Sequence, residues 1–141
     1  QSIWIDASFI INTNLDEWWN KYFRKGFSAA RHPLRDCLYK EGEHCIRTRR
    51  GSEGVAAQLS AYRNAGHPRR SGLITSGLIM RENSPEVIAL CNAWWSELQL
   101  YSIRDQVAFA KVAYKSDIVF TYDWNYIANN HFLYKKHFHL R

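Results

Sequence analysis

Asp6 closes a short apolar run, Ile3-Trp4-Ile5, and is followed by Ala7 and Ser8. A buried parallel strand reads this way, as a short continuous apolar run. Ligands of open α/β sheets sit at the carboxyl ends of such strands. A carboxylate placed there can hold a divalent cation, with phosphate oxygens and water completing the shell. Asp is also a frequent turn cap, so the same residue fits a structural role. A second set is His137 and His139, with His131 upstream. Alternating His on an extended segment share one face and suit a metal. Beside Lys135 and Lys136, the reading the residues alone favour is an exposed basic tail. Third comes Arg104-Asp105-Gln106. Asp105 could act as a general base or bind an acceptor. Three residues after Ser102, it could instead complete a capping box.

Two further clusters carry polar chemistry. Arg31-His32-(x2)-Arg35 follows an apolar run and suits a pyrophosphate or an acidic sugar. Its bland reading covers a sheet edge and pairs with Asp36 and Glu41 as surface ion pairs of little worth. Ser76-Gly77 lies between Leu73-Ile74-Thr75 and Leu78-Ile79-Met80, a glycine placed where a backbone or ligand approaches closely. No Walker loop, GxGxxG, GxSxG or Cys/His nucleophile context occurs, so covalent catalysis has no support.

The elements that must position these residues follow from periodicity and caps. A strand runs into Asp6, and Phe9-Ile10-Ile11 continues it or starts another. Asn14 caps a helix from Leu15, with Asp16 and Glu17 in its first turn and Gly26 at its end. Phe27 to Ala30 reads as a buried strand. Helical spacing returns from Leu34 to about Ile46, with Leu34, Leu38 and Cys45 on one face and Gly42 weakening the second half. Arg47 to Glu53 reads as a loop, Val55 to Asn64 as a helix, and Ala65 to Gly72 as a second loop. One strand with a glycine, or two strands, spans Leu73 to Met80. Ser84-Pro85-Glu86 starts the strongest helix, which carries Trp94 and Trp95. A last helix follows Ser102, and Ile118 to Tyr122 is a strand. The alternation predicts an α/β fold: a mixed, mostly parallel sheet flanked by helices.

The 141 residues fit a single domain, residues 1–141, able to bury a core. The chain is 46% hydrophobic and 15% aromatic, which places it among globular rather than disordered chains. No apolar run approaches the roughly 18 residues of a membrane span. The net charge of +6 favours an anionic partner. Arg47, Arg49, Arg50, Arg63, Arg69 and Arg70 are partly clustered. The three cysteines, Cys37, Cys45 and Cys91, match neither a disulfide framework nor a zinc site and read as buried thiols. The chain opens at Gln1, directly on a strand, which predicts that residues before it are missing.

Taken together, the pieces resemble a known family. Ile3-Trp4-Ile5-Asp6-Ala7-Ser8 is similar to the strand and metal-binding Asp-x-Asp of GT-A-fold glycosyltransferases. Closer still is a glycosyltransferase-like family long catalogued as a domain of unknown function, with plant members in seed mucilage and turgor regulation and many bacterial relatives. Ala30-Arg31-His32-Pro33-(x)-Arg35-Asp36-Cys37-Leu38-Tyr39-Lys40-Glu41, Ser76-Gly77-Leu78-Ile79-Met80-Arg81 and Trp94-Trp95 carry the resemblance. Ser102-(x)-Arg104-Asp105-Gln106-Val107-Ala108-Phe109 and Lys136-His137-(x)-His139 complete it.

The resemblance implies a GT-A-like fold and a metal-dependent glycosyltransferase. The sugar would move from a nucleotide-sugar donor to a glycan or other hydroxyl acceptor. Mn²⁺ or Mg²⁺ would be held by Asp6 with His137 or His139. Asp105 would be the catalytic, acceptor-side carboxylate. Ser8, Arg31, His32, Arg35, Ser76, Gly77, Arg104 and Gln106 would bind donor or acceptor. Ser8 replaces the second carboxylate of the motif, so the metal would rest on fewer protein charges. The amino-terminal nucleotide-binding strands would precede Gln1, making the chain the carboxyl-terminal part of such a domain. The expected location is cytoplasmic, with membrane association or a Golgi lumen as alternatives. Two other readings stand beside this one. A hydrolase could use the same fold. A basic nucleic-acid-binding module would use Arg47, Arg49, Arg50, Arg69 and Arg70, but those loops lack the aromatic interleaving of single-strand binders, so no nucleic acid is expected.

Overall fold

The computed structural model describes residues 1–123 and 132–134. The expected ligands His137 and His139, and also His131, lie outside the described residues. In chain order the elements are β1 (Ser2–Ile5), β2 (Phe9–Ile11), α1 (Leu15–Tyr22), β3 (Phe27–Arg31), α2 (Leu38–Thr48) and α3 (Val55–Asn64). They continue with β4 (Ile74–Arg81), α4 (Pro85–Leu100), α5 (Asp105–Val112), β5 (Val119–Tyr122) and β6 (Phe132–Tyr134). β1, β4, β3 and β5 form one sheet in that order, and β2 pairs with β6.

The α/β class and the mixed sheet agree with the sequence. The expectation of a mostly parallel sheet does not: β4 runs antiparallel to both neighbours, and only β3 and β5 pair in parallel. Helix number in the connections explains this. One helix, α1, joins β1 to β3 and leaves their directions equal. A pair of helices, α2 with α3, joins β3 to β4 and brings the chain back reversed; α4 with α5 reverses it again before β5. The carboxyl ends of β1, β3 and β5 therefore meet the amino end of β4 along one edge of the sheet. Asp6, His32 and Thr75-Ser76-Gly77 all fall there.

Alternation along the strands feeds two cores. Ala30, Leu78 and Met80 pack with Trp18 and Tyr22 of α1. Phe27, Ala29, Ile74 and Ile79 pack with Val87, Leu90 and Phe109 of α4 and α5. A third cluster joins α2, α3 and α5 through Leu38, Val55, Leu59, Tyr62 and Val107. Within it Gly42 has a specific use: a Cβ there would lie 2.7 Å from a Leu59 methyl. Bare backbone at this point lets α2 and α3 approach closely.

Several boundaries differ from expectation for local reasons. Asn14 does cap α1, its Oδ1 accepting from the Asp16 and Glu17 N–H groups at 2.9 and 3.2 Å. The helix ends at Tyr22, a turn before Gly26. Gly26 instead enters β3 with φ +85°, where a Cβ would meet the Ile118 carbonyl at 2.5 Å. α2 begins at Leu38, not Leu34, because the His32 ring and Pro33 hold the preceding turn, and Leu34 is exposed. α2 also extends through Arg47 to Thr48, and Arg49 ends it in the left-handed region. Cys37 and Cys45 are buried, but Cys91 is only half-buried.

Candidate active site

β4 does not pair regularly with β3. Ala29 faces Ile79 and Arg31 faces Ile74, so two steps along β3 span five along β4. The extra β4 residues form a bulge at Thr75-Ser76-Gly77, and such irregularities re-aim side chains beside functional sites. Ile74 and Ile79 both enter the α4/α5 core in consequence, although their odd spacing would otherwise place them on opposite faces. The bulge is where the candidate residues converge.

Asp6 docks on it directly, its N–H donating to the Gly77 carbonyl at 2.8 Å. The Asp6 carboxylate organises the turn after β1. Oδ1 accepts from the Ser8 N–H at 2.8 Å and the Ser8 hydroxyl at 2.6 Å. The turn-capping role is thus real, and Ser8 is buried in performing it. Asp6 itself is exposed. The close approach predicted at Gly77 comes from the chain itself, since a Cβ there would meet the Phe9 ring at 2.8 Å. Among the described residues no group of three or more His, Cys, Asp or Glu could hold a metal ion. Asp6 offers one carboxylate. That fits a hard cation completed by substrate phosphates and water, and it does not fit a site built from these residues alone.

The β3 end forms a mainly cationic cleft of about 490 Å³, lined by Arg31, His32, Arg35, Arg70 and Ser71 over an apolar floor of Phe109, Ala110 and Val119, with one carboxylate, Asp36, whose Oδ2 lies 4.0 Å from Arg70 Nε at the exposed rim. Arg31 is exposed, and its Nε donates to Thr121 Oγ1 at 3.1 Å, which aims the guanidinium along the edge. Arg70 enters at φ 57°, an uncommon conformation for a bulky residue. Its loop is pinned by the Tyr39 hydroxyl, which donates to the His67 carbonyl at 2.7 Å, and by His67 Nε2 at 2.9 Å from Ser71 Oγ.

His32 and Arg35 face inward to a residue the sequence reading placed on the surface. Glu41 is buried. Arg35 Nε donates to its Oε2, Arg104 Nη2 lies 3.6 Å from Oε1, and Cys45 Sγ lies 3.5 Å from Oε1. Burial alone would raise the Glu41 pKa, but the Arg35 hydrogen bond and charge, with Cys45 and His32, outweigh it and hold the carboxyl below its ordinary value. His32 Nδ1 accepts from the Leu34 and Arg35 N–H groups at 3.1 and 3.0 Å, and Arg35 Nη2 lies 3.0 Å from Nε2 on the other side of the ring. Burial, then the Arg35 cation, lowers the His32 pKa. His32 and Arg35 line the cleft but are tied to Glu41, which Arg104 also meets from beneath, whereas Arg31 and Arg70 are the more exposed charges of the cleft. A signal for Glu41 was present in the sequence: Leu38, Glu41, Gly42 and Cys45 fall at the i, i+3, i+4 and i+7 positions of one helical stripe.

Asp105 and Ser76 line a second cleft, with Trp4, Arg81, Trp94 and Trp95. The expected capping box is absent. α5 begins at Asp105 itself, and Ser102 is buried, donating to Gln58 Oε1 at 2.6 Å. Asp105 Oδ1 accepts from the Gln106 N–H at 2.9 Å, and Oδ2 has no hydrogen-bond partner among the described residues. Gln106 Nε2 donates to the Ile74 carbonyl at 2.8 Å, tying the start of α5 to β4. Trp94 Nε1 donates to the Asp105 carbonyl at 2.9 Å and fixes α4 to the same point. The tryptophan pair thus divides: Trp94 anchors, and Trp95 stays exposed.

Among the described residues, no helix is long and apolar enough to cross a membrane. The sequence matches the family model of the TOD1/MUCI70 glycosyltransferase-like domain over residues 1–136, in agreement with the resemblance carried by the motifs. No curated protein and no solved structure matches.

Proposed function

The chain belongs to the TOD1/MUCI70 glycosyltransferase-like family, and on that premise we propose that it is a metal-dependent glycosyltransferase using a nucleotide-sugar donor. The observation that carries this reading is the convergence on the β4 bulge. Asp6 bonds to Gly77, while the Arg31/Arg70 cleft and the Ser76/Asp105 cleft flank the same stretch of β4.

The roles follow from the chemistry. The acceptor hydroxyl lies against Asp105, whose Oδ2 takes its proton as the new bond to the anomeric carbon forms. The nucleoside diphosphate departs, and Arg31 with Arg70 meets its charge. Arg35 and Arg104, paired to Glu41, hold the β3–α2 and α4–α5 connections in position. Mn²⁺ or Mg²⁺, when bound at Asp6 with the donor phosphates, would neutralise the leaving group.

Titration calorimetry with UDP and GDP, with and without Mn²⁺, tests the reading. Cation-dependent binding of one nucleotide is expected in the native chain, with loss in Asp6→Ala and weakening in Arg31→Ala. Equal binding in Asp6→Ala would sink the metal role. Absence of nucleotide binding under every condition would sink the donor.

A further inference from the structure

Trp4 and Trp95 are 55% and 62% exposed. Single exposed apolar side chains are ordinary, but these two border one cleft of about 510 Å³, with Ser76, Arg81 and Asp105 between them. That size lies within the roughly 300–1,000 Å³ of small-molecule sites. We propose that this cleft is a carbohydrate subsite that seats a glycan chain against the Trp4 and Trp95 indoles.

The mixture of surfaces selects the occupant. A pyranose has an apolar face of C–H groups and a rim of hydroxyls. The indoles match the first, and the Ser76 hydroxyl and Asp105 carboxylate match the second. An apolar segment of a partner protein would cover Asp105 and leave Oδ2 desolvated with no donor, which is costly. A sugar hydroxyl donates to it. A phosphate backbone would meet that carboxylate as a like charge. Among the described residues, the one cation that lines the cleft, Arg81, is already engaged: its Nε donates to Ser2 Oγ at 3.1 Å, and Nη1 lies 3.8 Å from Cys91 Sγ. The subsite is also pre-formed. The backbone at Trp4 is fixed by the β1–β4 register opposite Ile79, the backbone at Asp105 by the Trp94 hydrogen bond to its carbonyl, and the Asp105 carboxylate by the Gln106 N–H.

The inference deepens the transfer reading, on which it rests only in calling the glycan the acceptor. It narrows "glycan or other hydroxyl" to glycan. Affinity electrophoresis with xylan, mixed-linkage β-glucan, dextran and polygalacturonate reads binding without any donor. At least one of these should retard the native chain. Trp95→Ala and Trp4→Ala should each weaken the interaction about tenfold, the order expected for one lost aromatic contact. Trp95→Phe should restore most of it, and Asp105→Asn should weaken it. Retardation by none of the four, or equal retardation of the tryptophan variants, overturns the subsite. So does a dimer in sedimentation that is lost in Trp95→Ala and strengthened in Asp105→Asn, since that assigns the surface to a second copy. Nucleotide binding is measured on the same variants. Glycan binding without nucleotide binding would keep the subsite and remove the transfer reading; the reverse would remove the subsite alone.

Discussion

The two clefts that flank β4 are built on opposite principles. The cationic one is the exposed tip of a buried network. Arg31, at the end of β3, and Arg70, in the loop before β4, meet solvent, but the turn after β3 leans on His32 and Glu41 and the Arg70 loop on the Tyr39–His67 contact below. The aromatic one is held from the side. Its indoles project from a strand register and a helix face that would form without them. Charge needs an interior partner to be held in place, because a buried ion without one is costly. An indole needs only a backbone to stand on. The cationic cleft should therefore fail together with the fold, and the aromatic cleft should fail in binding alone.

Glu41→Gln is the sharpest way to break that contrast. It leaves Arg35 and Arg104 half-buried without their anion, and the expected cost is about 3 kcal/mol of stability, at the lower end for a broken buried pair because both arginines retain some solvent. Urea denaturation checks it; a loss under about 1 kcal/mol would mean that Glu41 is no anchor.

An intermediate effect is expected with acid. The His32 pKa is lowered by burial and by Arg35, so the unfolded imidazole takes up its proton first, near 6.5. Stability is complete above that pH and falls as pH drops from 6.5 through the folded value. His67, lowered by burial and then by Lys111, contributes with the same sign. Glu41 adds a later loss as pH falls from 4.5 through its own depressed value. Urea midpoints at pH 7.5 and 5.5 should differ less in His32→Asn, whose amide oxygen can accept the same backbone N–H groups without titrating. An unchanged difference would remove His32 from the network.

The smallest effect tests the other side. Trp4→Ala and Trp95→Ala should change stability by no more than about 0.5 kcal/mol, as ordinary surface substitutions do. A thermal melt that fell as far as that of Glu41→Gln would erase the distinction between the clefts.

Much of the framework was legible in the residues. Asn14, Ser84 with Pro85, and the Val55-to-Asn64 stripe located helices because caps and periodicity act within a few residues. The pairing of β2 with β6 was not legible, since the register of distant strands has no local signal. Glu41 was misread by residue type. A carboxylate suggests solvent, and only the arrival of Arg104 from the distant α4–α5 connection makes its burial tolerable. Ser102 failed in the reverse direction: its local capping partner lost to Gln58, which α3 delivers.

The sequence by itself determined the element order from α1 to β5, two of the helix caps and the family, because each depends on short-range pattern or on motifs in fixed order; it left β2 open and did not mark β6. It also marked Asp6, Arg31, Ser76 and Asp105. Tertiary structure decided how they are used. The paired helices α2 and α3 reversed β4 and turned an expected parallel strand into an antiparallel one. The β4 bulge then put Ser76 in the aromatic cleft and Gly77 beneath Phe9 and against Asp6. Strand direction and bulge register depend on which distant segments pack together, and no window of local sequence contains that information.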